Sequence, residues 1–158
     1  MNERWIGTVE EVRRADSIAI KKYGVPSLAL MDGAAEAVLK LLMEFSLRRK
    51  TICILAGKGN NAGDGFALAC KLMPLAKRVT VVTLLGDRFT GDAAYYHKKC
   101  VDSGVEILTE IGGKYDIYVD AVFGTGFKGD LPDSVIAAFE KAAAEPAIKI
   151  SIDLPSGV

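Results

Sequence analysis

The chain has no excess of charge of either sign. Its 20 basic and 20 acidic residues cancel formally, so no global field draws it to nucleic acid or to an acidic membrane surface. Long apolar runs are missing too, and no segment reaches the ~20 residues that a membrane-spanning helix needs. The polar start Met1-Asn-Glu-Arg4 has no secretory character, and a soluble, cytoplasmic protein is expected. Cysteine is scarce: Cys53, Cys70 and Cys100 are odd in number and form no CxxC spacing. Buried, reduced thiols are therefore expected. The single histidine, His97, is read as a surface helix residue, because no sequence neighbour suits it to catalysis. The basic clusters Arg48-Arg49-Lys50 and His97-Lys98-Lys99 read as solvated helix ends.

What is present is a globular composition. Half of the 158 residues are apolar and a quarter are charged, which fits one domain over 1–158 burying roughly two thirds of its unfolded surface. The chain turns on Thr51-Ile-Cys-Ile-Leu-Ala56, a short apolar run that reads as a buried strand. It opens into Gly57-Lys-Gly-Asn-Asn-Ala-Gly-Asp-Gly65, after which a helical pattern runs from Gly63 to Met73 and stops at Pro74. Strand, glycine loop and helix are where an α/β protein places an anionic ligand, since glycines allow close approach and the helix start offers unpaired N–H groups. The loop is neither Gly-x-Gly-x-x-Gly, because Ala62 stands at the third position, nor a Walker A loop, because no Gly-Lys-Ser/Thr closes it. Ordinary turn chemistry remains open, but Asn60, Asn61 and Asp64 are more polar side chains than a turn requires.

Taken in order, Thr8 and Glu11 form a capping box for a helix reaching Tyr23, which Gly24 ends. A second helix is expected over 28–47, so crowded with apolar residues that it should be covered on more than one side. Further strands are expected at 78–85, 105–108, 115–123 and 147–153. Helices fall between them, one capped by Thr90 and running to Asp102, another reaching Ala144 with Pro132 in its first turn. This alternation predicts a Rossmann-like, doubly wound, mostly parallel sheet in a three-layer α/β/α sandwich, with two N-terminal helices added. Ending at Val158, just past a strand, the chain reads as a fragment or a shortened domain.

Polar or glycine-rich segments follow the strands at 57–65, 86–91, 124–130 and 153–157. If the first strand is central and the fourth lies beside it, the 57–65 and 124–130 loops face each other across the crevice, with Asp153 adjacent. Asp120 sits inside the fourth strand, where a carboxylate needs either backbone hydrogen bonds or a cation. Asp153 has a plainer alternative role, capping or bracing the Pro-Ser-Gly turn. Asp87 and Arg88 read as a turn.

Four segments together carry a resemblance. They are Asp16 through Met31, Gly57 through Phe66, Asp120-Ala-Val-Phe-Gly-Thr-Gly-Phe-Lys-Gly129 and Ser151-Ile-Asp-Leu-Pro-Ser-Gly157. In this order the chain resembles the YjeF N-terminal domain family, the NAD(P)H-hydrate epimerases. The resemblance implies epimerisation of the R and S forms of hydrated NADH or NADPH at C6, as part of nicotinamide cofactor repair alongside a separate dehydratase. It implies that Asn60, Asn61, Ala62, Gly63 and Asp64 hold the pyrophosphate and ribose side of the dinucleotide. Gly124, Thr125, Gly126, Phe127, Lys128, Gly129 and Asp130 would close on the phosphates opposite. Asp153 would contact the substrate near the hydrated ring and act as the catalytic carboxylate. Asn61, Asp120 and Ser156 would bind a potassium ion, and the chain would pair as a homodimer.

The sequence departs from the family pattern at Ala62, which replaces a glycine. It departs again at Leu30-Met-Asp-Gly-Ala-Ala35, where the family has Leu-Met-Glu-Asn-Ala-Gly. The family's later C-terminal strands are absent from the chain. These departures motivate the alternative reading, a non-catalytic dinucleotide-binding or protein-interaction module of the same fold.

Overall fold

A computed structural model describes residues 7–157; the polar start Met1 through Arg4 and the terminal Val158 lie outside them. Two helices, α1 (Val9–Tyr23) and α2 (Ser27–Leu42), precede β1 (Thr51–Ala56). The chain then alternates through α3 (Asn60–Leu72), β2 (Arg78–Thr83), α4 (Gly91–Asp102), β3 (Glu106–Leu108), β4 (Ile117–Ala121), α5 (Asp133–Ala143) and β5 (Ile148–Ser151). The five strands form one sheet in the order β3-β2-β1-β4-β5, and every pairing is parallel. The central strand is β1 with β4 beside it, the arrangement under which the 57–65 and 124–130 loops face each other. The order reverses between these two strands, which is where an open α/β sheet forms its ligand crevice.

The period of two along the central strand sorts the core into two layers. Ile52, Ile54 and Ala56 face α2, α3 and α4, whereas Cys53 and Leu55 face α5 through Val135, Ala138 and Ala142. Helix α3 is enclosed by its neighbours, and Phe66, Ala67, Leu68, Ala69 and Leu72 are all fully buried. Full burial of a side chain the size of Phe66 stabilises the fold by about 2–3 kcal/mol. Gly57 sits where β1 leaves the sheet, and a β-carbon there would lie 2.1 Å from the Val122 carbonyl oxygen. Only glycine fits so close to β4.

Helix boundaries differ from the sequence reading in physically simple ways. The extended backbone of Gly59 starts α3 at Asn60, three residues before the expected Gly63, so the paired asparagines occupy the first helical turn. Asparagine is tolerated there because the first-turn N–H groups have no intrahelical partners. Pro132 precedes α5 with extended backbone instead of entering its first turn. Helix α2 stops at Leu42 instead of residue 47, and a single 3₁₀ turn at Leu47–Arg49 leads into β1. Within one chain α2 is covered on one face only, with Met31, Ala35, Leu39 and Leu42 buried and Leu41 exposed. The capping box of α1 forms: the Thr8 amide donates to Glu11 Oε2 at 2.7 Å and the Glu11 amide to Thr8 Oγ1 at 3.3 Å.

His97 corrects another expectation. Its ring is half-buried in an aromatic cluster, 5.1 Å from the Phe66 centroid and 4.7 Å from that of Phe89. Phe89, just ahead of α4, folds back over the helix and covers it, a contact that helical periodicity alone does not announce.

Candidate functional site

A cavity of about 1120 Å³ opens at the carboxyl ends of β1, β4 and β5. From the residues expected at a site, it brings together Asn60, Asn61 and Asp64 at the start of α3, Gly124 through Lys128 after β4, and Asp153 after β5. Ala62 and Gly63 do not line it. The Ala62 methyl is fully buried in the core, and Gly63 packs where a β-carbon would meet the Met31 side chain at 2.6 Å. Gly129 and Asp130 also fall outside the lining.

Asp153 is held in a particular pose. It has a positive φ of 67°, a conformation that aspartate tolerates better than most residues. Its Oδ2 accepts a 2.8 Å hydrogen bond from the Thr125 amide. A β-carbon on Gly124 would stand 2.6 Å from that same oxygen, so the bare backbone of the β4 loop makes room for the carboxylate. Asp64 is half-buried across the cavity. Burial, reinforced by the negative charges of Asp153 and Asp16, raises its carboxyl to about 7.

Asp120 and Ser156 lie behind the cavity wall. Ser156 donates to Asp120 twice, from its amide to Oδ2 and from its hydroxyl to Oδ1, each at 2.7 Å. The Val122 amide donates to Asp120 Oδ1 at 3.1 Å, and the Phe123 amide to Ser156 Oγ at 2.8 Å. Backbone hydrogen bonding, one of the two accounts of Asp120 open from sequence, is therefore present. Asn61 is different: both polar atoms of its side chain are buried without a hydrogen-bond partner. Orphaned buried amides are rare and costly, and such an atom points to a ligand. Asn61 Cγ lies 3.7 Å from the position of a Gly124 β-carbon, so this amide and the Asp120–Ser156 pair flank the same stretch of backbone, residues 122–124. Their donor set of amide, carboxylate and hydroxyl oxygens is the chemistry of a hard cation. Among the described residues, no group of three or more His, Cys, Asp or Glu gathers as a metal centre.

Sequence reasoning missed the wall that α1 and α2 contribute. Val9, Val12, Arg13 and Asp16 line the cavity from α1, and Ala34 and Val38 from α2. Helical spacing picks out Val12, Ala15, Ile18 and Ala19 as the apolar stripe of α1, a set that shares only Val12 with the lining and gives no signal for Arg13 or Asp16. Gly33, a departure from the family pattern, is exposed with open space around it and touches nothing in the cavity.

Fold and site together define an open, doubly wound α/β protein of Rossmann type with its crevice at the topological switch point. The family described as YjeF-related protein N-terminus matches residues 27–158, and the chain belongs to that family. It is 33% identical over 159 residues to the NAD(P)H-hydrate epimerase of Rhodopirellula baltica, covering 96% of this chain and 65% of that protein. Identity to the Oenococcus oeni NAD(P)H-hydrate epimerase is 33% over 154 residues, covering 94% of this chain and 73% of the relative. Against the bifunctional NAD(P)H-hydrate repair enzyme Nnr of Moorella thermoacetica it is 32% over 180 residues, covering 98% of this chain but 32% of the relative. The chain thus spans between about a third and three quarters of these relatives' lengths. The crystal structure of yeast ynu0, YNL200c, superposes with a TM-score of 0.82 at 22% identity, over 98% of this chain and 72% of that one, and shares the fold. Among the described residues, no helix is long and apolar enough to cross a membrane.

Proposed function

We propose that the chain epimerises hydrated NADH and NADPH at C6, as an isomerase of nicotinamide cofactor repair. The observation that carries this reading is the posed carboxylate of Asp153, fixed by the Thr125 amide at the edge of a cavity large enough for a dinucleotide. The names of the relatives support it, as does the anion-receptive pairing of the α3 start with the β4 loop.

The chemistry needs little from the protein. In the hydrate, C6 carries a hydroxyl next to the ring nitrogen, whose lone pair expels that hydroxyl and leaves C6 planar and the ring cationic. A carboxyl group that protonates the departing hydroxyl lets it leave as water. Asp64, raised to about 7, carries a proton in a large fraction of molecules at neutral pH and suits that donation. Water then adds to the other face and gives its proton to a carboxylate, and proton exchange with solvent returns that group and Asp64 to their starting states, so protons balance over the cycle. Asp153 is assigned to receive that proton and to favour the cationic ring electrostatically.

Asn61, Asp120 and Ser156 would hold a potassium ion, whose positive charge would offset that of Asp120 and satisfy the Asn61 amide. The chain would work as a homodimer in the cytoplasm, handing the S form to a separate dehydratase; the bifunctional relatives are consistent with that coupling.

The test uses Asp153→Ala with either epimer, separated chromatographically over time. The variant should equilibrate the epimers at least ~100-fold more slowly with KM changed less than about threefold. Unaltered equilibration would remove Asp153 from the mechanism. A wild-type protein that binds the hydrate without equilibrating it would favour the non-catalytic module instead.

A further inference from the structure

Helix α1 buries none of its side chains, yet four of them line the cavity. It is a wall of the site more than a part of the core. One of the four, Arg13, brings Nη2 to within 3.3 Å of where a β-carbon of Gly126 would be. With no β-carbon at Gly126, the guanidinium lies against the bare backbone of the β4 loop. Among the described residues no carboxylate lies within ion-pair distance of Arg13.

Arg13 and Lys128 are the basic residues of the lining, Arg13 beside Gly126 and Lys128 two positions further along the same loop. Asp16, Asp64 and Asp153 are its acids. Mutual repulsion among these acids is a cause of the raised Asp64 carboxyl. A ligand carrying two phosphate charges at its centre meets the basic groups of the lining at Arg13 and Lys128.

We propose that Arg13 is a substrate-binding residue, pairing its guanidinium with the diphosphate of the dinucleotide and so recruiting α1 into the site. This rests on the dinucleotide reading given above. Arginine suits the role because its planar fork makes two parallel charge-assisted hydrogen bonds to phosphate, which lysine does not. The pairing also orients the ligand, with phosphates under α1 at Gly126 and the hydrated ring towards Asp153.

The experiment measures binding of hydrated NADPH and of inorganic pyrophosphate by calorimetry, to the wild type, Arg13→Gln, Arg13→Lys and Arg14→Gln. Arg14 is the neighbouring, exposed arginine outside the lining. Hydrogen exchange over residues 9–23 of each free variant confirms that α1 is formed. Arg13→Gln should bind both probes roughly tenfold or more weakly at low salt, with the ratio to wild type shrinking as salt rises. Arg13→Lys should recover part of the loss, and Arg14→Gln should match the wild type. Wild-type affinity in Arg13→Gln overturns the inference and leaves the dinucleotide reading standing. So does an equal loss in Arg14→Gln, a loss indifferent to salt, or a loss accompanied by unfolding of α1 in both Arg13 variants. A wild type that binds neither probe overturns the dinucleotide reading and this inference with it.

Discussion

Ser156 reaches back across 36 residues to Asp120, its amide and hydroxyl donating to the two carboxylate oxygens at 2.7 Å each. The end of β5's loop is thereby tied to the penultimate residue of β4, directly beneath Phe123 and Gly124. Replacing Asp120 with alanine would strand the Ser156 donors and the Val122 amide, and should cost about 2–3 kcal/mol in urea unfolding. Asp120→Asn tests the ion as well. Wild-type thermal stability should be higher in potassium chloride than in a bulky organic cation at equal ionic strength, and the difference should vanish in Asp120→Asn. Equal wild-type stability in both salts would sink the ion site without touching the fold.

Gly124→Ala places a methyl group 2.6 Å from Asp153 Oδ2. The surrounding loop is on the surface, so the protein should still fold, with a stability change under about 2 kcal/mol. The carboxylate must move, and a displacement near 1 Å should lower kcat at least tenfold, up to ~100-fold. Paired measurements of melting temperature and epimerisation rate check this; full activity in a folded variant would show that the pose of Asp153 is irrelevant.

The Asp64 carboxyl, raised from 3.8 to about 7, makes the folded state bind a proton that the unfolded chain releases between those pH values. Its contribution is therefore fully present below about pH 4 and is lost as pH rises through 7. Asp64→Asn should be more stable than the wild type at pH 8, by roughly 1 kcal/mol or more, and indistinguishable from it near pH 4. Urea midpoints at pH 4, 6 and 8 decide it, and a pH-independent difference would contradict the raised carboxyl.

Cys70 and Cys100 lie with their sulfurs 3.3 Å apart between α3 and α4. The hydrogen bond between the two sulfurs holds the Cys70 thiol below its ordinary range, whereas the same contact and burial push Cys100 up. Cys53 is fully buried and raised to about 12, chiefly by burial. Alkylation of the native protein at pH 8, followed by mass spectrometry, should label Cys70 first and Cys53 only on unfolding. Equal rates at the three positions would contradict this ranking.

Much of the fold was written locally. The capping box of Thr8 and Glu11 and the apolar run of β1 depend on neighbours within a few residues, and each formed where its pattern lay. Glycine loops at strand ends were legible for the same reason, and parallel α/β topology then gathered Asn60, Asp64, Gly124 and Asp153 on one edge. Four ordered motifs also pointed to the family. Tertiary structure alone decided the rest. The α3 start moved to Asn60 because Gly59 stays extended, the Asn61 amide lost its solvent, and His97 was covered by Phe89. Arg13 met Gly126 across 113 positions, because α1 found its place against the cavity instead of the core. Local patterns encode backbone conformation through short-range sterics and hydrogen bonds, whereas burial, lost hydration and charge pairing depend on which distant segments pack together.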